Sequence, residues 1–207
     1  MHKILFYSGN PGKTRELQEK LQTSEYTLIS AKDKHINTGI EETGTTFIEN
    51  AIIKARDGAN QAKMPCIADD SGLIVDCLNG EPGLYSSEYA GKQKSSSDHI
   101  QKLLKVMQPY SGLQRSARFY CCLVYLRNEM DPNPIIAEGI CQGLILDQAR
   151  GDHGFGYDPV FYIPELRQTL AEMPLETKQT ISHRASAVEI LKNKLREAYR
   201  INQSKIT

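Results

Sequence analysis

The sequence predicts an α/β fold built on a mixed β-sheet. Three observations lead there. Lys3 to Tyr7 is a short apolar run that leads into Ser8-Gly9-Asn10-Pro11-Gly12, the pattern of a buried strand turning into a helix. Helix-period and strand-like stretches then follow one another along the chain. Ala117 to Leu126 and Ile135 to Leu146 are strand-like runs joined by a loop with Pro132 and Pro134, so they read as a long β-hairpin. A hairpin brings antiparallel pairing into the sheet.

Each element has a local reason. Asn10 can cap the first helix, Pro11 suits its first position, and Leu17 and Leu21 give it an apolar side. Thr46-Phe-Ile-Glu49 is a capping box. Ile48, Ala51, Ile52, Ala55, Ala59 and Ala62 continue it at helical spacing, and Pro65 marks the stop. Pro65 to Asp69 reads as a short central strand and Leu73 to Leu78 as a second apolar run, closed by the turn pair Asn79-Gly80. Asp98 to Met107 is an amphipathic helix with Ile100, Leu103, Leu104 and Met107 inward. A Gly-rich loop spans Gly151 to Pro159, and a last helix runs to about Tyr199 with Val188, Leu191, Leu195 and Ala198 on one face. No repeat or long linker appears, so residues 1–207 read as a single domain.

Composition narrows the function. The 207 residues are 40% hydrophobic and 24% charged, which excludes disordered and low-complexity classes. Lys plus Arg and Asp plus Glu are 25 each, so the basic excess of a general nucleic-acid binder is missing. No apolar run approaches the ~20 residues of a membrane span, and four apolar residues near the N-terminus are too few for a leader. The five cysteines form no C-x-x-C pair and their number is odd, which points away from a disulfide framework or zinc knuckle and toward the cytoplasm.

Five segments could carry chemistry. Ser8 to Thr14 lies between strand and helix, where free N–H groups and the helix dipole favour an anion. Its Gly-Lys-Thr ending fails as a P-loop, because Tyr7 stands where the first glycine belongs. Asp69-Asp70-Ser71-Gly72 places two carboxylates at a strand end, a place that suits Mg²⁺. A turn in which Asp and Ser cap loop amides is the plain alternative. Glu41-Glu42 is an acidic pair ahead of the capping box. Gly154-Phe155-Gly156-Tyr157-Asp158 could stack on and hydrogen-bond a base, or pin its loop into the core. Lys178 precedes Ser182-His183-Arg184. A helix starting at Ser182 would put two cations against its own dipole, a broken rule that a bound triphosphate would mend. Ser186-Ala-Val-Glu189 is also a capping box, and a start there leaves His183 and Arg184 in the loop.

Together these segments resemble the inosine triphosphate pyrophosphatase family, hydrolases of ITP, dITP and XTP. The matching stretches are Ser8 to Lys13, Glu42 to Asn50 with Lys54, Ile67 to Gly72, Gly80 to Gly83, Gly154 to Pro159, and Lys178 with Ile181 to Arg184. They stand in the family's order over nearly the whole chain. The resemblance implies an elongated mixed sheet flanked by helices, with two lobes and a nucleotide cleft between them, and a homodimer. It implies Mg²⁺ held by Asp70 and Glu41, with Glu42 beside it, and Asp70 as the proton acceptor. Ser8, Gly9, Asn10, Pro11, Gly12 and Lys13 would cradle the triphosphate. Lys54, Ser71, Lys178, His183 and Arg184 would contact substrate, and Phe155, Gly156, Tyr157 and Asp158 would hold the base. The products would be a monophosphate and pyrophosphate, which clears the nucleotide pool of deaminated purines. The substrate is then a small nucleotide, with no nucleic acid or membrane partner. Two alternatives are a sister pyrophosphatase for pyrimidine or modified nucleotides and a non-catalytic nucleotide sensor. Ser87-Glu88 stands where bacterial members commonly carry Ala-Arg, which puts a carboxylate where they have a cation.

Overall fold

The structure, a computed structural model, describes residues 2–21 and 25–203. Seven strands and five α-helices follow in the order β1 (His2–Tyr7), α1 (Pro11–Leu21), β2 (Tyr26–Ser30), α2 (Phe47–Ala62), β3 (Cys66–Val75), α3 (Ser96–Val106), β4 (Ser116–Leu126), β5 (Ile135–Ile145), β6 (Phe161–Ile163), β7 (Gln168–Thr169), α4 (Leu175–Ile181) and α5 (His183–Gln203). The strands form one sheet in the order β2-β1-β3-β4-β5-β6-β7. β1 pairs parallel with β2 and β3, while β5–β6 and β6–β7 are antiparallel, so the sheet is mixed as the hairpin implied.

The chain divides into two compact units, residues 1–70, 121–139 and 184–207 in the first and 71–120 and 140–183 in the second. Each has its own apolar core. In the first, Ile4, Phe6, Leu17, Ile67, Leu123, Val188, Leu191 and Leu195 are fully buried together. In the second, Leu73, Leu103, Met107, Val160, Phe161 and Leu170 play the same part.

Several expectations need correcting. Pro65–Asp69 and Leu73–Leu78 are not two short runs. One ten-residue strand, β3, carries Asp69 to Gly72 within it, and Asp76–Leu78 forms a 3-10 turn. The carboxylates broke the apolar pattern but not the backbone, because cations neutralise them. α2 ends before Pro65, at a left-handed Lys63 (φ 49°). α3 begins at Ser96 rather than Asp98, because Ser95 and Asp98 form a capping box. α5 begins at His183, so the Ser186 start is not used. The sequence reading missed β2, β6, β7 and α4. β2 is only Tyr-Thr-Leu-Ile-Ser and gains its ladder from β1 in the register His2↔Tyr26 to Phe6↔Ser30. No described helix is long and apolar enough to cross a membrane.

Candidate active site

The first unit gathers Lys13, Lys54, Asp69, Asp70 and Arg184 together with the Glu41–Glu42 pair. β1 ends at Tyr7 and the chain turns through Ser8-Gly9 into α1. Asn10 caps that helix as expected, accepting from the amides of Gly12 at 2.8 Å and Lys13 at 3.2 Å. Those two amides are therefore not free for an anion. The Asn10 amide in turn donates to Ser8 Oγ at 3.2 Å. One turn into α1, the Lys13 ammonium pairs with Asp69 Oδ1.

Asp69 and Asp70 are adjacent and both buried, yet their surroundings are opposite. Asp69 Oδ2 receives Arg184 Nε at 2.8 Å and the Cys121 thiol at 3.3 Å. Burial alone would raise the Asp69 pKa. The charges of Arg184 and Lys13 outweigh it and hold the carboxyl well below the usual carboxylate range. Arg184 is 2% exposed, and its Nη1 lies 2.5 Å from Glu16 Oε2. The Arg184 charge in the first turn of α5 is thus balanced from within, by carboxylates on β3 and α1. No triphosphate is needed to mend that rule, and Arg184 is already bonded on two sides.

Among the described residues, Asp70 is paired directly with one cation. Its Oδ1 lies 2.6 Å from Lys54 Nζ, and Lys54 also reaches Glu42 Oε2 at 3.2 Å. The buried Oδ2 of Asp70 has no hydrogen-bond partner among the described residues. Burial, opposed by Lys54, pushes the Asp70 carboxyl up to about 6. Both members of the acidic pair are exposed, and Glu42 is the one joined to Asp70 through Lys54.

The second unit holds the Gly-rich loop. Asp158 Oδ2 accepts the Phe155 amide at 2.8 Å and faces Lys178 Nζ at 2.8 Å. Lys178 also lies 4.6 Å from the centroid of the Phe155 ring, a cation–π contact. Tyr157 OH donates to the Ser86 carbonyl at 2.8 Å, which pins its ring in the core. His183 stacks on Phe119 with centroids 4.8 Å apart. Asp158 therefore holds its own loop, a bond pattern the sequence alone could not show. Ser71 follows Asp70 on β3.

The model of the Ham1 family matches residues 4–194. The dITP/XTP pyrophosphatase of Pectobacterium atrosepticum is 46% identical over 198 residues, 96% of this chain and 100% of that one. The chain belongs to the Ham1 family. The dITP/XTP pyrophosphatase of Escherichia coli K12 is 45% identical over 196 residues, 95% of this chain and 99% of its own. A solved HAM1 protein from Coxiella burnetii superposes with a TM-score of 0.88 at 44% identity, covering 95% of this chain and all of that one. The Ham1 protein of Staphylococcus aureus gives 0.83 at 38%, over 95% and 99%. Membership bears out the resemblance and the α/β class.

Whether this Ham1 chain suits a divalent cation is a question for its donor set. Among the described residues, no cluster of three or more His, Cys, Asp or Glu side chains is gathered for a metal. Mg²⁺ does not require one, because it takes one or two carboxylates and keeps its waters. The orphaned Oδ2 of Asp70 is a buried acceptor in need of a donor or cation, and an acidic loop shares its lysine. The residues present fit the ion.

Proposed function

We infer that this chain hydrolyses deaminated purine nucleoside triphosphates, dITP, XTP and ITP, to the monophosphate and pyrophosphate. Family membership and near-complete coverage of relatives named dITP/XTP pyrophosphatase carry the substrate class. The observation that carries the chemistry is Asp70. It is a buried carboxylate with one oxygen on Lys54 and the other without a hydrogen-bond partner among the described residues.

Asp70 is the group that takes the proton of the attacking water, and Asp70 with Glu41, assisted by Glu42, is the set that would hold Mg²⁺. When bound, that ion neutralises phosphate oxygens and lowers the pKa of a water. Lys54 keeps Asp70 oriented through Oδ1. Attack at the α-phosphorus forms one P–O bond and breaks the bond to the leaving pyrophosphate. Lys13 is the cation for that leaving group, aided by the Ser8 to Gly12 loop. Asp69, itself held by Arg184, keeps Lys13 in place. Phe155 offers its ring to the base, Gly156 and Tyr157 shape the loop around it, and Asp158 fixes that loop. Ser71, Lys178 and His183 complete the substrate contacts. Two further readings are a homodimer and a cytoplasmic place of action, with no nucleic acid partner.

A substrate panel of dITP, ITP, XTP, GTP and ATP with product analysis tests the reading. Pyrophosphate plus monophosphate from the first three is expected. Orthophosphate plus diphosphate, or ATP turnover within tenfold of ITP, removes it. A site built on hydrogen bonds to N1–H and O6 discriminates by ~10⁴.

A further inference from the structure

Tyr7, the last residue of β1, is 1% exposed, and no role assigned above uses it. Its ring rests on α2 at Gly58. A Cβ at that glycine would lie 2.7 Å from Tyr7 Cδ2 and 2.6 Å from Cys66 Sγ, too close for packed atoms. Glycine inside a helix weakens it, so the ring explains why Gly58 is there. The Tyr7 hydroxyl donates to Asp57 Oδ2 at 2.6 Å and lies 3.1 Å from the Asn37 carbonyl.

Gln61, one turn beyond Asp57 on α2, completes the arrangement. Its Nε2 donates to the Asn37 carbonyl at 2.9 Å and to Asp57 Oδ2 at 2.7 Å. Its Oε1 accepts the Asn37 amide at 3.2 Å. Both backbone polar groups of Asn37 are thus held, much as a neighbouring strand would hold them. Thr38 packs against the turn after β1, where a Cβ on Gly9 would come within 2.9 Å of Thr38 Oγ1. At the far end, the Gly44 amide donates to Asn50 Oδ1 at 2.8 Å. Between these ties, residues 38–43 have neither helix nor strand and carry Glu41 and Glu42.

We propose that Tyr7, Asp57 and Gln61 form a clamp that presets the Glu41–Glu42 loop for binding a divalent cation, which makes Tyr7 and Gln61 positioning residues. The proposal rests on the reading of the acidic pair and Asp70 as the cation's ligands. Ordering a loop in advance removes that entropy from the binding step, so a loosened clamp weakens the ion more than the chemistry.

The test is Mn²⁺ binding to the substrate-free protein by calorimetry, beside the Mg²⁺ dependence of dITP hydrolysis. Wild type, Tyr7→Phe, Gln61→Ala, Glu41→Gln and Glu42→Gln are compared. Tyr7→Phe keeps the ring, and Gln61 is exposed, so Gln61→Ala decides if Tyr7→Phe folds poorly. Tyr7→Phe is expected to weaken Mn²⁺ about fivefold, the worth of one hydrogen bond, and Gln61→Ala, which loses three, by at least as much. Half-saturating Mg²⁺ should rise by the same factor, with kcat at saturating Mg²⁺ within about twofold of wild type and faster amide exchange over residues 37–43. Unchanged Mn²⁺ affinity in both clamp variants, with Glu41→Gln or Glu42→Gln weakening it, overturns the clamp and leaves the ligand reading standing. Unchanged affinity in all four overturns the ligand reading and the clamp with it.

Discussion

Asp69 and Asp70 occupy successive positions on one strand, and their partners assign them different work. Asp69 is bonded to Lys13, Arg184 and Cys121, whereas Asp70 keeps a buried oxygen without a hydrogen-bond partner among the described residues. Asp70→Asn should lower kcat by ~10²–10⁴ and cost less stability than the change at Asp69, because Lys54 keeps Glu42 as a partner. Asp69→Asn should instead destabilise the fold by about 3–5 kcal/mol, because it strips charge from the buried Arg184. Urea unfolding beside steady-state kinetics separates the two, and equal stability losses would refute the division. Asp158 raises a related point. Asp158→Ala removes the carboxylate from the buried Lys178 and from the Phe155 amide, so it should cost about 3–5 kcal/mol and depress turnover of every base alike. Base selectivity is better read in Asp158→Asn, which retains an acceptor for the amide. A folded Asp158→Ala with normal stability would show that the loop is held by other means.

At the scale of elements, the sequence was readable where a signal is local. The Thr46–Glu49 and Asn10 caps are found where the residues placed them, because each bond closes within four residues. Strand β3 reads in the sequence as two pieces, since Asp69 and Asp70 look like a break until Lys13, Lys54 and Arg184 are placed beside them. Those partners lie as far as 115 residues away, and Glu16 lies 168 from Arg184, beyond any spacing rule. Arg184 at the start of α5 looks unbalanced in the sequence, because the carboxylates that balance it stand too far away along the chain. Tyr7, too, reads as one more apolar residue of a strand. The β4–β5 hairpin carries its own pin. Asp131 accepts the amides of Arg127 at 2.9 Å and Asn133 at 3.1 Å and pairs with the Arg127 guanidinium. The hydrogen bond from Arg127 leads in lowering its pKa to about 2. A carboxyl depressed by folding stabilises above its unfolded value of about 3.9 and ceases to as pH falls through 2. Wild type should therefore lose more stability than Asp131→Asn between pH ~4 and ~2, by about 1 kcal/mol for a pair whose arginine is exposed. Parallel pH–stability curves in that window would contradict this.

For the molecule as a whole, the family and class were legible because six short segments keep their order along the chain, and order survives where single motifs do not. Assembly was not legible at all, since the composition carries no trace of it. Sedimentation should give about twice the 23.2 kDa chain mass at micromolar concentration, and a single 23 kDa species would dismiss the dimer.

The cysteines lead somewhere else. Cys66, Cys121 and Cys122 are sealed in the first unit and Cys141 in the second, while Cys77 is half-exposed. Burial pushes Cys122 up to about 12 and Cys141 to about 11, and Cys66 and Cys121 also upward. A protonated, enclosed thiol is a poor nucleophile. The chain thus carries built-in chemical clocks. In iodoacetamide, Cys77 should be alkylated first, and the remaining sulfurs should be marked only as often as their own unit breathes open. Peptide mapping over time would yield a separate opening rate for each unit. Simultaneous marking of all five would mean that neither core protects its sulfurs.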